Sequence, residues 1–361
     1  MRIAQIAPLA ESVPPKLYGG TERVISWLAE ELSQRGHEVT LFASGDSRTS
    51  GKLVPVIPRA LRLGRPRPDP NAASAMLLEA MAEAADEFDV IHCHSDWIAL
   101  PLLRRLGTPY LTTLHGRLDL PGLADLIHRF PESPFVSISH NQREPLPGAN
   151  WAGTVYHGLP LDLHAPSFKS GSYLAFLGRL TPDKGPETAI KLARAAGLPL
   201  HISAKLPSQQ NRYFKERLQP LIDEDHVQFT GELDEREKTE FLRNAIALLF
   251  PIHWPEPFGL VMIEAMACGT PVIAYRCGSV PEVIDEGVSG FIVDDDDAAV
   301  AAISRIPELD RRLVREQFEA RFSAGQMAES YLSIYRSLIG EMHKPTGDRT
   351  ARSYPATRAA T

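Results

Sequence analysis

The sequence predicts an α/β protein with two domains, each built around a parallel β-sheet. Short apolar runs alternate with amphipathic segments along most of the 361 residues, the order expected of strands connected by helices. Glycines and charged side chains follow several predicted strands, at the edge where open α/β sheets bind ligands. A chain of this length has room for two domains that each bury a core.

Composition excludes several classes of protein. The 43% hydrophobic and 23% charged shares are those of a globular protein, and the net charge of −7 argues against nucleic-acid binding. Three cysteines without a spaced framework favour a reduced, cytoplasmic compartment. No apolar run approaches the ~18 residues of a membrane span, so only peripheral contact with the inner face of a membrane stays open. Nothing in the sequence indicates an oligomeric state.

The chain opens with a strand, a glycine turn and a helix. The apolar run Ile3–Ala7 predicts a buried parallel strand, and a proline-rich loop leads to Gly19 and Gly20. An amphipathic helix follows and ends before the strand Val39–Ala43. The dinucleotide pattern G-x-G-x-x-G is missing, so the glycine turn alone indicates either a ligand loop or an ordinary tight turn.

Residues 44–70 show no periodicity, and we expect them to form a loop. A helix rich in Ala, Met, Leu and Glu is predicted over Asn71–Phe88. Two interpretations of the loop stay open: a solvated segment, or an electropositive lip for an anionic substrate or a membrane head group. Four arginines cluster in its second half: Arg59, Arg62, Arg65 and Arg67.

The next predicted strand, Val90–His94, ends in two histidines. His92 and His94 point to one face because side chains alternate along a strand, and Cys93 points to the other. A zinc site would need a second group of residues with ligand spacing, which the sequence lacks. We therefore favour hydrogen-bonding histidines near a cleft.

Polar residues also end the two strands that come next. His115 follows the predicted strand Pro109–Leu114, and Ser139 ends the strand Phe135–Ser139. Both lie at the carboxyl edge of the sheet, where ligands bind. His115 either hydrogen-bonds a ligand hydroxyl or phosphate, or supports other residues that do.

The second half begins after Leu159–Ser172, a linker by composition. A strand over Tyr173–Leu177 leads into a glycine-bounded turn with Arg179 and Lys184, and Pro186 suits the first position of a helix. Two cations in such a turn can bind a pyrophosphate, Arg179 in fork geometry and Lys184 as a point charge. The alternative is ordinary surface charge.

The stretch HWPEPFGLVMIEAMACGTPVIA predicts a turn, a short helix and a buried strand. Glu256 lies in the turn, Phe258, Gly259 and Leu260 open the helix, and Glu264 follows about one and a half turns later. Unpaired N–H groups at a helix start favour a phosphate, and carboxylates beside it favour hydroxyl donors. The pattern suits a nucleotide sugar; two solvated glutamates on an amphipathic helix are the alternative.

Shorter elements complete the second half. Strands are predicted over Leu200–Ala204, Val227–Phe229 and Ala247–Phe250, and Asp234 with Glu237 forms a capping-box helix start. Beyond the central stretch, residues 275–283 and 290–293 suggest a small α/β unit, and residues 294–297 a solvated turn rather than a calcium site. Residues 323–339 predict a long amphipathic helix, followed from about 344 by a disordered tail.

The string EPFGLVMIEAMACGTPVIA resembles the E-x7-E signature of retaining GT-B glycosyltransferases, in the large family 4 ("group 1"). The stretches YGGTERV and GRLTPDKG resemble two further motifs of that family, and the likeness covers nearly the whole chain. It implies the GT-B architecture, two Rossmann-like domains that face each other across a cleft. The implied parts are residues 1–160 on the acceptor side, 161–325 on the donor side, a helix over 326–343 that crosses back, and the tail 344–361.

The resemblance also implies roles for the central stretch and for the glycine turn. Glu256 faces the donor sugar, the backbone of residues 258–260 meets the sugar and phosphates, and Glu264 binds the ribose hydroxyls. Gly19 and Gly20 approach the donor phosphates.

Other roles are implied around these. His115 contacts the donor near the anomeric carbon and Ser139 faces the cleft, whereas Lys205 and Leu233 border the nucleotide base. The segment TVYHG departs from the family pattern, because His157 stands where an asparagine is usual, so that the role of the asparagine does not transfer.

The expected activity is transfer of a hexose from a nucleoside diphosphate sugar to a hydroxyl of a saccharide, lipid or small molecule, with retention. We expect no cofactor and no metal, and favour a uridine donor over guanosine or adenosine. The alternatives are a GT-B sugar-nucleotide epimerase and a non-catalytic nucleotide-sugar-binding partner. The covalent or front-face course of the reaction stays open, as does binding of acceptor or membrane by the arginines of residues 59–67.

Overall fold

The structure, a computed structural model, describes residues 1–16, 19–62, 64–65, 68–205 and 211–342. Within these ranges lie two parallel β-sheets, with apolar clusters against both faces of each sheet. The predicted α/β class with two parallel sheets is confirmed. Arg67 and the predicted tail from residue 344 lie outside the described residues.

The first sheet has seven strands in the order β3-β2-β1-β4-β5-β6-β7. The apolar runs become its central strands because a parallel sheet with helices on both faces buries both sides of each strand. Its strands are β1 (Arg2–Ile6), β2 (Glu38–Ser44), β3 (Lys52–Ile57), β4 (Val90–Cys93), β5 (Tyr110–Thr113), β6 (Phe135–Ser137) and β7 (Trp151–Thr154). The helices in this part of the chain are α1 (Gly20–Gln34), α2 (Pro70–Glu83), α3 (Leu100–Leu103) and α4 (Leu123–His128).

The second sheet has six strands in the order β10-β9-β8-β11-β12-β13. Its strands are β8 (Tyr173–Leu177), β9 (Leu200–Ser203), β10 (Val227–Gly231), β11 (Ala245–Phe250), β12 (Val272–Tyr275) and β13 (Gly290–Val293). Its helices are α5 (Pro186–Ala196), α6 (Asn211–Tyr213), α7 (Glu235–Arg243), α8 (Leu260–Ala267), α9 (Val280–Val283), α10 (Asp296–Arg305) and α11 (Arg311–Arg321). The predicted boundary at residue 160 falls between the two sheets.

The loop predicted over residues 44–70 contains a strand, and that prediction was wrong. Residues Lys52–Ile57 form β3, which pairs in parallel with β2 alone, at the edge of the sheet. Pro55 cannot donate a hydrogen bond to a neighbouring strand, but an edge strand tolerates proline. The register shifts opposite Ala43 and Ser44, beside Pro55.

Both sheets reverse their strand order at one point, and these points determine where the site lies. In the first sheet β1 has β2 on one side and β4 on the other, and in the second β8 lies between β9 and β11. The connections diverge there and leave a crevice at the carboxyl ends of the strands, which is where α/β proteins bind ligands.

The last described helix, α12 (Ala324–Met342), returns to the first sheet. Tyr331 and Tyr335 are fully buried there, in a cluster that includes Ile3 and Leu111. The core of the first sheet is therefore completed by a helix from the far end of the sequence. No helix among the described residues is long and apolar enough to span a membrane.

The parts built on the two sheets also touch beside the cleft. Glu282 of α9 accepts hydrogen bonds from the backbone N–H groups of His140 and Asn141, both at 2.7 Å, and from the Tyr156 hydroxyl at 3.0 Å. Arg23 of α1 forms an ion pair with Glu235 of α7.

Candidate active site

Two adjoining cavities lie between the sheets, at the carboxyl ends of β1, β5, β8 and β11. The larger has a volume of about 470 Å³ and the smaller about 210 Å³. They form one elongated site because they share wall residues from both parts of the chain. These are Gly19, Gly20, Leu177, Gly178, Arg179, Leu260 and Val261.

The start of α8 forms one wall of both cavities. Gly259 precedes the helix with φ of 79°, a left-handed conformation that glycine adopts without strain. The Ser279 hydroxyl donates to the Phe258 carbonyl at 2.8 Å and holds the turn in place. The first N–H groups of a helix have no intrahelical partner, so this end of α8 can receive an anion.

Lys184 and Glu256 form an ion pair inside the larger cavity. Their side chains are only 13% and 14% exposed, and the Lys184 ammonium lies 4.7 Å from the centre of the Trp254 ring. The two turns that carry them are joined by the His253 N–H, which donates to the Asp183 carbonyl at 2.9 Å. A cation and a carboxylate are thus held in contact at the cleft.

Arg179 borders both cavities from the loop after β8. Its guanidinium lies 3.7 Å from the Asp183 carboxylate, and its side chain is 43% exposed. The weak, exposed pairing leaves its donors accessible to an anionic ligand. Lys205 and Leu233 line the smaller cavity further along.

Glu264 lies in the smaller cavity as part of a buried ion pair. Its carboxylate accepts a hydrogen bond from Lys238 at 2.6 Å, and the Lys238 ammonium also lies 2.8 Å from Glu235. Burial opposes ionisation of Glu264, but Lys238, His164 and Arg23 outweigh it and lower the pKa of the carboxyl. Glu264 is therefore a charged acceptor that a hydroxyl-bearing ligand can reach.

His115 lines the larger cavity from the loop after β5. Its Nε2 lies 2.9 Å from His94 Nδ1, and its ring stacks on that of His157 with 5.3 Å between centroids. Burial lowers the pKa of His115 to about 3, so the ring is neutral at physiological pH. It can exchange hydrogen bonds with a ligand without adding charge.

The structure brings nearly all the predicted site residues to these cavities. Ser139 is the exception, since it is fully buried, lines neither cavity and accepts a hydrogen bond from the Gln142 N–H at 3.1 Å. The larger cavity contains Gly19, Gly20, His115, Arg179, Lys184, Glu256, Phe258, Gly259 and Leu260. The smaller also has Lys205, Leu233 and Glu264.

Several lining residues were not singled out from the sequence as site residues. Lys238 had a usable signal, because it occupies the same helical face as Phe241 and Leu242, where a lysine is out of place unless it is paired. Arg62 of the arginine cluster reaches the larger cavity, where Glu22 and His157 also lie. No local pattern marked Glu22 or His157 as a cavity residue.

Neither histidines nor acidic residues assemble a metal site in the part of the chain that the structure describes. No three His, Cys, Asp or Glu side chains there lie in an arrangement that could hold a metal ion. His92 and His94 instead share one face of the strand and form hydrogen bonds.

Comparison with known proteins agrees with this geometry. The family described as "Glycosyl transferases group 1" matches residues 165–321, and "Glycosyltransferase Family 4" matches residues 18–151. The chain is 28% identical to a D-inositol 3-phosphate glycosyltransferase of Acidothermus cellulolyticus, over 92% of this chain and 89% of the relative. It is 27% identical to a phosphatidyl-myo-inositol mannosyltransferase of Mycolicibacterium smegmatis, over 90% of this chain and 88% of the relative.

Solved structures match over almost the full length. A sucrose-phosphate synthase from Thermosynechococcus elongatus has a TM-score of 0.76 at 22% identity, covering 94% of this chain and 99% of its own. Anabaena HepE, solved with UDP and glucose, has a TM-score of 0.69 at 19% identity, covering 93% and 100%. These are GT-B glycosyltransferase folds. With the two sheets, the cleft and both family matches together, the chain belongs to glycosyltransferase family 4, the group 1 enzymes, and is a glycosyltransferase.

Proposed function

We propose that the protein transfers a hexose from a nucleoside diphosphate sugar to a hydroxyl of an acceptor, with retention at the anomeric carbon. The observation that supports this most directly is the order of groups along the elongated site. Glu256 lies in the larger cavity, Glu264 in the smaller, and Arg179 and the start of α8 border both. A ligand with a sugar, a diphosphate and a ribose in series fits that order.

The leaving group is the part of the reaction that most needs stabilisation, because negative charge grows on the β-phosphate. Arg179, Lys184 and the N–H groups that follow Gly259 border the same cavity and are the groups available for that charge. Lys184 is paired with Glu256 in the free protein, so a bound phosphate would share or replace that partner. With two cations and a helix start, the proposed reaction proceeds without a divalent ion.

Glu256 is the group proposed to orient the donor sugar. Its carboxylate is held by Lys184 and its backbone carbonyl accepts from the Ser279 N–H at 3.0 Å. A fixed carboxylate beside the anomeric carbon can accept hydroxyl hydrogen bonds and can stabilise positive charge that develops on the sugar.

At the other end, Glu264 is proposed to bind the ribose, with Lys205 and Leu233 beside the base. We favour a uridine diphosphate sugar as the donor, because the HepE structures contain UDP and UDP-glucose. On the acceptor side the larger cavity is lined by Glu22 and Arg62. Inositol phosphates are the first acceptors to test, since two relatives matched over nearly their full lengths are named for inositol acceptors.

A thermal-shift screen with UDP-, GDP- and ADP-hexoses tests the donor. A true donor raises the melting temperature with concentration because it binds only the folded chain. No shift with any of these nucleotide sugars would contradict the proposal. GDP- or ADP-hexose in first place would correct only the preference for uridine.

Transfer is then measured with that donor and inositol phosphates, in buffer with and without EDTA. NMR of the first-formed product shows the anomeric configuration, and retention without added metal is expected. Inversion would refute retention. Activity that is abolished by EDTA and restored by Mg²⁺ would refute the metal-independent reaction. A donor-only reaction separates an epimerase, which would change the sugar without any acceptor.

A further inference from the structure

His115 is the cavity end of a buried chain of hydrogen-bonding groups. Its Nε2 lies 2.9 Å from His94 Nδ1, and His94 Nε2 lies 2.7 Å from Gln5 Oε1. Gln5 Nε2 in turn lies 3.2 Å from Tyr335 Oη on α12. Gln5, His94 and Tyr335 are essentially inaccessible to solvent, so each group's partners are limited to its neighbours.

A second arm continues from Tyr335 back into the first sheet. Tyr335 Oη lies 2.7 Å from His92 Nδ1, and His92 Nε2 lies 2.7 Å from Thr113 Oγ1. The Thr113 hydroxyl lies 3.0 Å from that of Tyr331. Each of these hydroxyls can donate to one neighbour and accept from another, so this arm supplies hydrogen-bond partners for both nitrogens of His92.

The histidines in this chain are neutral. Burial lowers the pKa of His94 and of His92 well below 6.5, and that of His115 to about 3. A neutral imidazole has one N–H donor and one bare nitrogen acceptor. Fixing the proton on one ring therefore fixes it on the ring bonded to it.

The orientation of the Gln5 amide, with its oxygen toward His94 and its nitrogen toward Tyr335, sets the direction of these bonds. With Oε1 toward His94, both contacts are N–H···O bonds, and 2.7 and 3.2 Å lie within the usual range for that type. An amide oxygen only accepts, so the proton of the contact between Gln5 Oε1 and His94 Nε2 belongs to His94. The Gln5 carbonyl therefore accepts from His94 Nε2–H.

The remaining protons follow from that assignment. His94 Nδ1 is the bare nitrogen and accepts from His115 Nε2–H, which leaves His115 Nδ1 unprotonated. That atom is buried and has no hydrogen-bond partner among the described residues, in a side chain that lines the larger cavity. The stacked His157 ring, inclined by 18°, packs against one face of the imidazole and restrains its rotation.

We propose that Gln5 and His94 are positioning residues that hold His115 in the Nε2–H tautomer, with Nδ1 free to accept a hydrogen bond from a substrate hydroxyl. The site then discriminates by donor character: a hydroxyl at that position is bound, whereas fluorine in its place is not. The assignment of this tautomer does not depend on the proposed glycosyl transfer. The identity of the hydroxyl as one of the donor sugar rests on the proposed function.

Nitrogen-15 NMR of the histidine rings tests the tautomer in the wild-type protein. The His115 resonances are identified by their loss in His115→Asn. We expect a protonated Nε2 and an unprotonated Nδ1, and the opposite pattern or a doubly protonated ring would overturn the proposal. The wild-type measurement requires neither turnover nor a donor, so it stands even if no transfer is observed.

Two substitutions at one position test the positioning role. His94→Leu removes the acceptor of His115, and we expect mixed tautomers and a kcat lower by about tenfold, as for one lost neutral hydrogen bond. Affinity for the nucleoside diphosphate should be unchanged. His94→Gln should rescue both readings, because its carbonyl can accept from His115 while its amide donates to Gln5.

His201→Leu is the matched control, a histidine that stacks on Tyr173 at 3.7 Å in the second sheet, outside both cavities. It should alter neither the His115 spectrum nor kcat. A wild-type spectrum for His115 in His94→Leu, or equal losses in His94→Leu and His94→Gln, would refute the positioning role.

Discussion

The ion pair of Lys184 and Glu256 holds two opposite charges at the point where the proposed diphosphate and sugar meet. Because both side chains are largely buried, each depends on the other for neutralisation in the free protein. A bound diphosphate gives Lys184 a second anion, and a bound sugar gives Glu256 hydroxyl donors. The two charges therefore neutralise each other in the free protein, and the proposed ligand would give each of them a new partner.

Lys184→Ala and Arg179→Ala should each lower kcat on the order of a hundredfold, if each cation acts like one preorganised oxyanion donor. The measurement is initial rate at saturating donor. Lys191→Ala is the control, because Lys191 pairs with Asp296 at an exposed position outside both cavities. Near-normal rates in both site variants would remove the leaving-group role.

Lys238→Met should destabilise the protein by about 3 kcal/mol, because it leaves the buried Glu264 carboxylate without its nearest cation. Urea unfolding measures the loss. Adding Glu264→Leu should return much of the stability, since an apolar pair can replace a buried ionic one. A double variant no more stable than Lys238→Met would contradict this.

Arg243→Met provides the comparison for Lys238, because Arg243 belongs to the same helix and pairs with Glu240 at 3.1 Å at a more exposed position. Its loss should change the free energy of unfolding by no more than about 0.5 kcal/mol.

Helix α8 begins at a left-handed glycine, and that conformation determines where its N–H groups point. Gly259→Ala should cost about 1 kcal/mol or more, because a Cβ there is strained at φ of 79° and would lie 2.8 Å from Met262 Cε. It should also weaken binding of the nucleoside diphosphate. Calorimetric titration and urea unfolding measure the two effects.

Gly197→Ala separates strain from ligand binding. Gly197 ends α5 with φ of 65°, and an added methyl group would have nothing within 4 Å, so only the backbone cost applies. Its variant should lose similar stability and keep full affinity. Equal affinities in the two glycine variants would show that the start of α8 does not hold the phosphates.

Elements delimited by glycine and proline could be predicted from sequence almost to the residue. The strand Tyr173–Leu177 and the helix that begins at Pro186 are found as expected, because their boundaries depend on local chemistry. Strand β3 was missed because its sequence shows no clear periodicity, whereas its pairing with β2 at the edge of the sheet depends on tertiary structure. Helix α11, which was not predicted, buries Arg311 and Arg315 against the backbone carbonyls of Ala245 and His164, which are distant in sequence.

The site residues also differ in whether a local motif indicates them. Residues inside continuous motifs, such as Glu256 and Gly259, could be assigned to a ligand site because the whole string around them resembles a family signature; their spacing alone left a solvated helix as the alternative. Partners from elsewhere could not: Lys238 lies 26 residues from Glu264, and Gln5 lies 89 residues from His94. Ser139 lies outside both cavities, and its hydroxyl accepts a hydrogen bond within its own turn.

At the scale of the molecule, buried neutral histidines link stability to pH. Burial lowers the pKa of His92, His94 and His157 well below 6.5 and that of His115 to about 3. The unfolded chain therefore binds more protons below about pH 6.5, so stability falls as pH drops through that value and continues to fall toward the folded-state pKa values.

The free energy of unfolding should fall by about 1 kcal/mol per pH unit for each such histidine between pH 6 and 5. His157→Asn introduces the residue that is usual in the family at this place. It should reduce the slope of the unfolding free energy against pH by the contribution of one histidine. Urea unfolding at several pH values measures this slope. Equal slopes for His157→Asn and the wild-type protein would refute the link between the buried histidine and pH-dependent stability.

The return of α12 to the first sheet has a consequence for biosynthesis. Gln5, His92 and Thr113 leave the ribosome early, whereas the tyrosine hydroxyls that partner them belong to a helix made more than two hundred residues later. Until then the amino-terminal half has an open apolar groove with polar groups at its floor. Nascent chains should therefore need protection by chaperones until translation has passed residue 342, and a release at residue 323 should yield an aggregation-prone product.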